Sequence, residues 1–157
     1  MIHLGTLVLG PFGEMAPVGA FLYAPDRPAW STTTDVNGEP ATIKASTVVD
    51  ADDLGQQALC LVVKGREKAP LIADEHTRVW SLDQEGWTPL SKLKTYESIR
   101  VPEITNAGVV VTWAKVHTVL RAPLPDRLFL DANRMWARLV LFRGCYSFAS
   151  PACFIHV

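Results

Sequence analysis

The chain has 157 residues, 48% of them hydrophobic, so it can bury one core, and we expect a single domain over residues 1–157. Fifteen Lys and Arg residues against sixteen Asp and Glu residues give a formal net charge of −1, with no basic surplus for nucleic acid. The apolar N-terminus has no charged leader and is interrupted at residues 10–14, so we expect neither a signal peptide nor a membrane span.

The runs of β-favouring residues in the first two thirds of the chain are short, and turn residues separate them. They predict strands and therefore a mostly β domain. In chain order the runs are GTLVLG, PVGAFLY, ATIKASTVV, ALCLVVK, TRVWSL, SIRV and GVVVTWAKVHTVL. The alternation is broken within Val109–Leu120, which predicts either one long bent strand or two strands that meet at a bulge. We expect an exposed loop at Asp26–Pro40 and a turn at Asp50–Gln57.

One segment departs from this β pattern. Over residues 126–140 the apolar side chains recur at helical spacing, and Pro125 and Asp126 form a typical helix start. We therefore predict one amphipathic helix there, whose Trp and Met face is buried in the core rather than used for a cofactor. The last residues, RGCYSFASPACFIHV, return to β-favouring types.

The cysteines do not indicate a disulfide framework or a zinc site. Their number is odd and no CxxC spacing occurs: they are Cys60, Cys145 and Cys153. Reduced thiols in a cytoplasmic protein are the simpler interpretation. The four histidines stand at no ligand spacing, and neither a GxSxG elbow nor a Gly-rich phosphate loop occurs. We therefore expect no metal and no cofactor.

A family resemblance rests mainly on LIADEHTRVWSLDQEGWTPLSKLKTYESIRVP, residues 71–102. This stretch resembles the second conserved block of the Hint superfamily, the self-processing domains of inteins and hedgehog proteins. His76 stands at the conserved histidine, and Gly86 and Trp87 stand at the Gly-Trp turn of the hairpin that follows it. The start MIHLGTLV, the segment WAKVHT and the end GCYSFASPACFIHV resemble other parts of the family. The resemblance implies a flattened horseshoe of bent antiparallel strands with adjacent termini, into which the helix at 126–140 would be inserted.

The same resemblance implies site residues. Hint domains use a Cys or Ser side chain at their first residue as nucleophile, and that position is Met1 here. His76 corresponds to the histidine that strains and protonates the scissile bond, and its usual Thr companion is Ala73. At the other end His156 matches the penultimate histidine, whereas Val157 replaces the cyclising Asn. We expect Met1, His76 and His156 to cluster.

Each histidine also has a structural interpretation. Only Asp74 would share a strand face with His76 and orient it, and a hydrogen-bonded structural role for His76 is an equal alternative. Without the resemblance we would interpret His156, in the apolar strand CFIHV, as a core or edge histidine.

For the function we expect an intein-like autoprocessing domain that has lost splicing, either by natural departure or by replacement of its reactive ends. Its partner would be a flanking polypeptide, with no nucleic acid and no membrane. The sequence leaves enzymatic activity open, and any activity would be self-cleavage by peptide-bond rearrangement. The alternative is a non-enzymatic β-rich interaction or assembly module, viral or cellular.

Overall fold

The computed structural model describes residues 2–24, 27–32, 38–47, 58–121, 136–141 and 147–156. Twelve of the fourteen described strands form one sheet, and the other two form a second, two-stranded sheet. Every recorded strand pair is antiparallel. The predicted mostly β class is confirmed.

The described elements are short, apart from three longer strands. Their bounds are β1 Ile2–His3, β2 Leu7–Leu9, β3 Met15–Pro17, α1 Ala20–Tyr23, β4 Pro28–Thr32, β5 Gly38–Thr47, β6 Ala58–Val63, β7 Leu71–Asp74, β8 Arg78–Ser81, β9 Gly86–Pro89, a 3-10 turn at Leu90–Lys92, β10 Ser98–Thr105, β11 Gly108–Arg121, β12 Trp136–Leu141, β13 Ser147–Ala149 and β14 Phe154–His156. The strand order in the large sheet is β10-β11-β6-β7-β1-β12-β5-β4-β13-β14-β8-β9, and β2 pairs with β3 in the small sheet.

The large sheet curls back on itself. Strand β10 pairs with β11 along its whole length and also reaches β8, where Ile99 lies opposite Ser81. Because β11 and β8 stand far apart in the strand order, this extra pairing closes the sheet around a common interior. Apolar side chains of most strands fill that interior, including Leu61, Leu71 and Ile155.

A smaller apolar cluster forms separately from the main core. It consists of Leu9, Trp30, Ala149 and Phe154, with Trp87 and Val109 packed against it. Phe154 and Ile155 belong to different clusters because neighbouring residues of a strand point to opposite faces. Strand β14 is therefore covered by apolar side chains on both faces.

The predicted bend in Val109–Leu120 is confirmed as one long strand with an irregularity. The register of β11 against β6 shifts between Val116 and Thr118, so His117 lies at the bulge. An extra residue in one strand bends and twists it locally. The bend lets β11 pair with β10 through its first half and with β6 through its second.

Three predictions of local structure were wrong within the described residues. Residues 136–140 of the predicted helix belong to strand β12, which pairs with β1 and β5; the rest of that helix lies outside the described residues. Pro28–Thr32, expected in an exposed loop, forms β4. Ala20–Tyr23, expected in a strand, forms one helical turn that follows Gly19 and buries Phe21. The turn predicted at 50–57 lies outside the described residues. No helix in the described ranges is long and apolar enough to cross a membrane.

Candidate functional site

The hairpin between β7 and β8 carries the histidine that the sequence singled out. The Asp74 carboxylate accepts hydrogen bonds from the backbone N–H groups of His76, at 2.8 Å, and Thr77, at 2.9 Å. An Asp side chain that binds the backbone two and three residues ahead stabilises a turn. The sequence DEHT therefore folds as a turn, and His76 does not belong to either strand.

His76 is exposed at the tip of this turn. Its side chain is 82% accessible, and its Nε2 lies 3.3 Å from Oε1 of Glu75. We expected Asp74 to be the carboxylate that shares a side with His76, but the recorded partner of the imidazole is Glu75, and Oδ1 of Asp74 accepts hydrogen bonds from backbone groups. The strand alternation behind that expectation does not apply inside a turn.

The first and last described strands flank this same hairpin. Ile2 of β1 lies opposite Ala73 of β7, three residues before His76. Ile155 of β14 lies opposite Val79 of β8, three residues after His76. The backbone thus brings the two ends of the chain to the two arms of one turn. Met1 and Val157 themselves lie outside the described residues.

His156 lies in β14 against an aromatic side chain. Its ring centroid is 4.9 Å from that of Trp87, at an interplanar angle of 61°. On the other side of β14, His156 is the register partner of Ser147. Its side chain is partly buried, unlike that of His76. The two predicted histidines are therefore held in different surroundings, although the His76 turn leads into β8, which pairs with β14.

Sequence reasoning missed the aromatic residues beside His156. Trp80 and Trp87 are cross-strand partners in the β8–β9 hairpin, with ring centroids 5.4 Å apart and planes at 89°. The guanidinium of Arg100 lies 4.6 Å from the centre of the Trp80 ring. The Gly-Trp pair was recognised as a turn signal, and only the register of β8 with β9 shows which ring it meets.

A buried carboxylate anchors the turn that joins β8 to β9. Glu97 accepts hydrogen bonds from the Ser81 hydroxyl at 2.5 Å, the Gln84 amide at 2.6 Å and the Lys94 N–H at 2.9 Å. Burial opposes ionisation of Glu97, but the hydrogen bonds from these three donors outweigh it and hold the pKa below its ordinary value of 4.5. The folded chain therefore favours the ionised carboxylate of Glu97.

His3 lies near the start of the chain and lines a cavity of about 290 Å³ together with residues of the 68–72 segment and Ser150 and Pro151. Its Nδ1 accepts a hydrogen bond from the N–H of Gly5 at 3.0 Å. Burial lowers the pKa of the His3 imidazole. Among the described residues no group of three or more His, Cys, Asp or Glu side chains could hold a metal ion.

Cys153 closes a tight turn between β13 and β14. Its carbonyl oxygen accepts the N–H of Ser150 at 3.0 Å, and its side chain is fully buried. Burial raises the pKa of the Cys153 thiol to about 12. Because the thiolate is the nucleophile, this cysteine is chemically inert in the folded chain.

The comparisons with known proteins agree with this arrangement of strands. No protein-family model matches the sequence, and no curated protein is significantly similar to it. Among solved structures, the DnaB intein from Synechocystis sp. PCC 6803 superposes with a TM-score of 0.66 at 16% identity, covering 99% of this chain and 96% of the intein. The DnaX mini intein from Spirulina platensis gives a TM-score of 0.68 at 11% identity, covering 99% and 98%. The PabCDC21-1 intein gives 0.68 at 13%, covering 99% and 97%.

These superpositions extend over almost the whole of each chain, so they compare complete arrangements of strands and not a shared fragment. At identities this low they establish the fold and not the activity. The chain has the Hint fold of the inteins.

Proposed function

We propose that this chain is an intein-like self-processing domain that no longer splices. It acts as a structural or interaction domain of the polypeptide that it is attached to, or performs at most the cleavage of a single bond. The observation that carries the proposal is the placement of β1 and β14 on the two arms of the hairpin that ends in His76. A domain that rearranges the peptide bonds at its own two ends needs both ends at one site.

The residues at the two ends are the reason for proposing that splicing is lost. The first step of intein chemistry needs a thiol or hydroxyl at residue 1, and the methionine thioether of Met1 carries no hydrogen to give up. The last step needs an Asn amide nitrogen that attacks its own carbonyl carbon. Val157 has no such nitrogen. Ala73, at the position of the usual Thr, removes a hydroxyl beside His76.

The remaining groups fit the assigned roles. His76 is accessible and stands beside a carboxylate, so its imidazole could donate a proton to a peptide bond that is brought to the turn. His156 is the second proposed site residue, as the penultimate residue before the downstream bond. We propose these two positions, together with those of Met1 and Val157, as the remnant of a processing site.

The proposal has three further parts. Residues 1–157 form a single domain, supported by the inclusion of both the first and the last described strand in one sheet. The partner is a flanking polypeptide, because an intein-like domain acts on what is joined to it. The location is cytoplasmic, supported by free thiols at Cys60 and Cys153.

The test places the chain between two stable reporter domains and weighs the products by mass spectrometry. With Met1 and Val157 unchanged we expect the precursor to stay whole, and a ligated product of the two reporters would contradict the loss of splicing. A second precursor carries Met1→Cys and Val157→Asn. Cleavage at either junction beyond that of the same precursor with His76→Ala would support a processing origin, and equal cleavage would reject latent chemistry at His76.

A specific surface favours the second candidate, an interaction module. The tips of the β2–β3 and β10–β11 hairpins meet, since a Cβ added at Gly13 would lie 2.8 Å from Cγ2 of Ile104. The exposed apolar side chains there are Phe12, at 88%, Met15 and Ile104. An exposed apolar patch can mark a binding surface. If it does, Phe12→Ser should abolish a partner interaction without changing the cleavage of the reactivated precursor.

A further inference from the structure

A row of rings and one cation crosses strands β10, β8, β9 and β14. Arg100 stacks on Trp80, Trp80 meets Trp87 edge to face, and Trp87 meets His156. We call these four residues the aromatic row. It connects the Gly-Trp hairpin directly to the penultimate histidine, a connection that the proposed function does not require and does not explain.

We propose that Trp87 is the positioning residue for His156: the indole holds the imidazole in one orientation beside the downstream end of the chain. The inference rests on the proposed function for its catalytic consequence, but its structural content does not depend on activity. In this role Trp87 acts through its contact with His156 and not on the reacting atoms.

The position of Trp87 is itself well determined. The β8–β9 register places it opposite Trp80, and the turn before it is held by Glu97 through Ser81 and Gln84. On its other side Trp87 packs against the smaller apolar cluster that contains Trp30 and Phe154. A ring held on two sides can restrict a neighbour, whereas a mobile ring cannot.

The contact between Trp87 and His156 has the geometry of a specific aromatic pair. A centroid separation of 4.9 Å and a tilted arrangement lie in the range that such pairs prefer. Phe154 lies on the same face of β14 as His156, two residues earlier, and its ring is 5.1 Å from that of Trp30. The imidazole therefore has aromatic neighbours both along its strand and across to β9, which limits its rotamers.

The consequence follows from what positioning contributes to catalysis. A catalytic group misplaced by about 1 Å can cost about 100-fold in rate. A penultimate histidine that rotates freely would spend little time near the downstream carbonyl. We therefore expect the aromatic row to matter for bond cleavage at the C-terminal junction and much less for cleavage at the N-terminal junction.

The first test needs no activity. In the unmodified 157-residue chain, NMR of the histidine ring protons should show cross-relaxation between the Trp87 and His156 rings, and a ring-current displacement of the His156 signal, assigned with His156→Gln. Trp87→Leu should return that signal toward the range of an exposed histidine such as His76. Trp87→Phe should preserve much of the displacement.

Trp113→Leu is the matched control, because Trp113 is 58% exposed on β11 and is not part of the aromatic row. It should leave the His156 signal unchanged. Absence of cross-relaxation between the two rings in the unmodified chain would overturn the proposal even if Trp87→Leu failed to fold. An unmoved His156 signal in folded Trp87→Leu would also overturn it.

The second test uses the reactivated precursor with Met1→Cys and Val157→Asn. Trp87→Leu should slow cleavage at the C-terminal junction about 10- to 100-fold, with Trp87→Phe restoring most of the rate and Trp113→Leu having no effect. A C-terminal rate that is unchanged in Trp87→Leu would contradict the positioning role. If the reactivated precursor does not cleave at all, latent processing chemistry is rejected, and the NMR comparison still decides whether Trp87 orients His156.

Discussion

Ile2 lies opposite Ala73 across the β1–β7 pair, with both side chains buried in the main core. This pairing attaches the start of the chain to the strand that leads into the His76 turn. Ala73 is completely buried there, so a larger side chain at this position would have to displace its packed neighbours.

Replacement of Ala73 by a larger residue should weaken the fold. Ala73→Leu should lower the free energy of unfolding by about 1–3 kcal/mol, because extra methylene groups in a packed core force its neighbours apart. Ile72 faces the other side of β7 and is partly exposed, so Ile72→Leu should change stability by less than about 1.5 kcal/mol. Urea denaturation measures both. Equal losses in the two variants would contradict the β1–β7 packing.

His76→Ala should leave stability nearly unchanged. The imidazole is 82% exposed and its recorded contact is with a neighbouring Glu at the surface. Surface substitutions of this kind usually alter the free energy of unfolding by less than about 0.5 kcal/mol. Thermal unfolding followed by circular dichroism provides the measurement. A larger loss would show that His76 has a structural role, and the variant could then no longer serve as a chemical control in the cleavage experiment.

Glu97→Gln should destabilise the chain by about 1–3 kcal/mol at neutral pH, because Gln has one acceptor oxygen for three donors and leaves buried groups unpaired. The folded-state pKa of Glu97 is depressed, so its contribution is complete above the ordinary value of 4.5 and is lost as the pH falls through the lower folded value. The gap between wild type and variant should therefore shrink in acid.

The control for Glu97 is Glu103→Gln, an exposed carboxylate on β10. Denaturation series at several pH values should show a small and nearly constant difference for this variant. A Glu97→Gln difference that is independent of pH would mean that the hydrogen bonds do not favour the ionised carboxylate.

Gly13→Ala should cost more stability than Gly65→Ala, although both glycines have a φ of +85°. Both substitutions strain a backbone conformation that favours glycine, at a cost of about 1 kcal/mol or more. At Gly13 the added Cβ would also lie 2.8 Å from Ile104, whereas at Gly65 it meets nothing within 4 Å. Equal losses by urea denaturation would show that the two hairpin tips do not touch.

Cys153 should resist alkylation until the chain unfolds. Its side chain is fully buried, so the reagent cannot reach the sulfur. Its pKa is raised to about 12, so little of the reactive thiolate is present. Iodoacetamide treatment followed by peptide mass spectrometry should modify Cys153 only in denaturant, with the partly exposed Cys60 as the internal comparison. Rapid labelling of Cys153 under native conditions would contradict the buried turn between β13 and β14.

Several of these features could be predicted from local sequence. The long strand β11 and its irregularity were predicted from a broken alternation within Val109–Leu120, because the period of two is a property of the strand itself. The helix predicted at 126–140 was wrong over residues 136–140, because a short apolar run fits a buried strand as well as a helix. Residues 136–141 form a strand because they pair with β1 on one side and with β5 on the other.

The candidate site was predictable only in part. The resemblance identified His76 and His156, but the exposure of one and the aromatic contact of the other depend on an Asp74 turn and a β8–β9 register. Trp87 carried only a turn signal in the sequence. The contact between Trp87 and His156 depends on how β9 and β14 are placed in the sheet, and these strands are about 70 residues apart in the chain.

By itself, the sequence determined that the chain is mostly β and where many of its strands lie. These properties depend on the type of each residue and on the alternation of neighbouring residues, so they can be predicted from the sequence alone. Only the tertiary structure decided that Ile2 and Ile155 attach to the two arms of the His76 hairpin. That arrangement depends on hydrogen bonds between distant strands, and any strand edge can form such bonds until the packing of the core selects the partners.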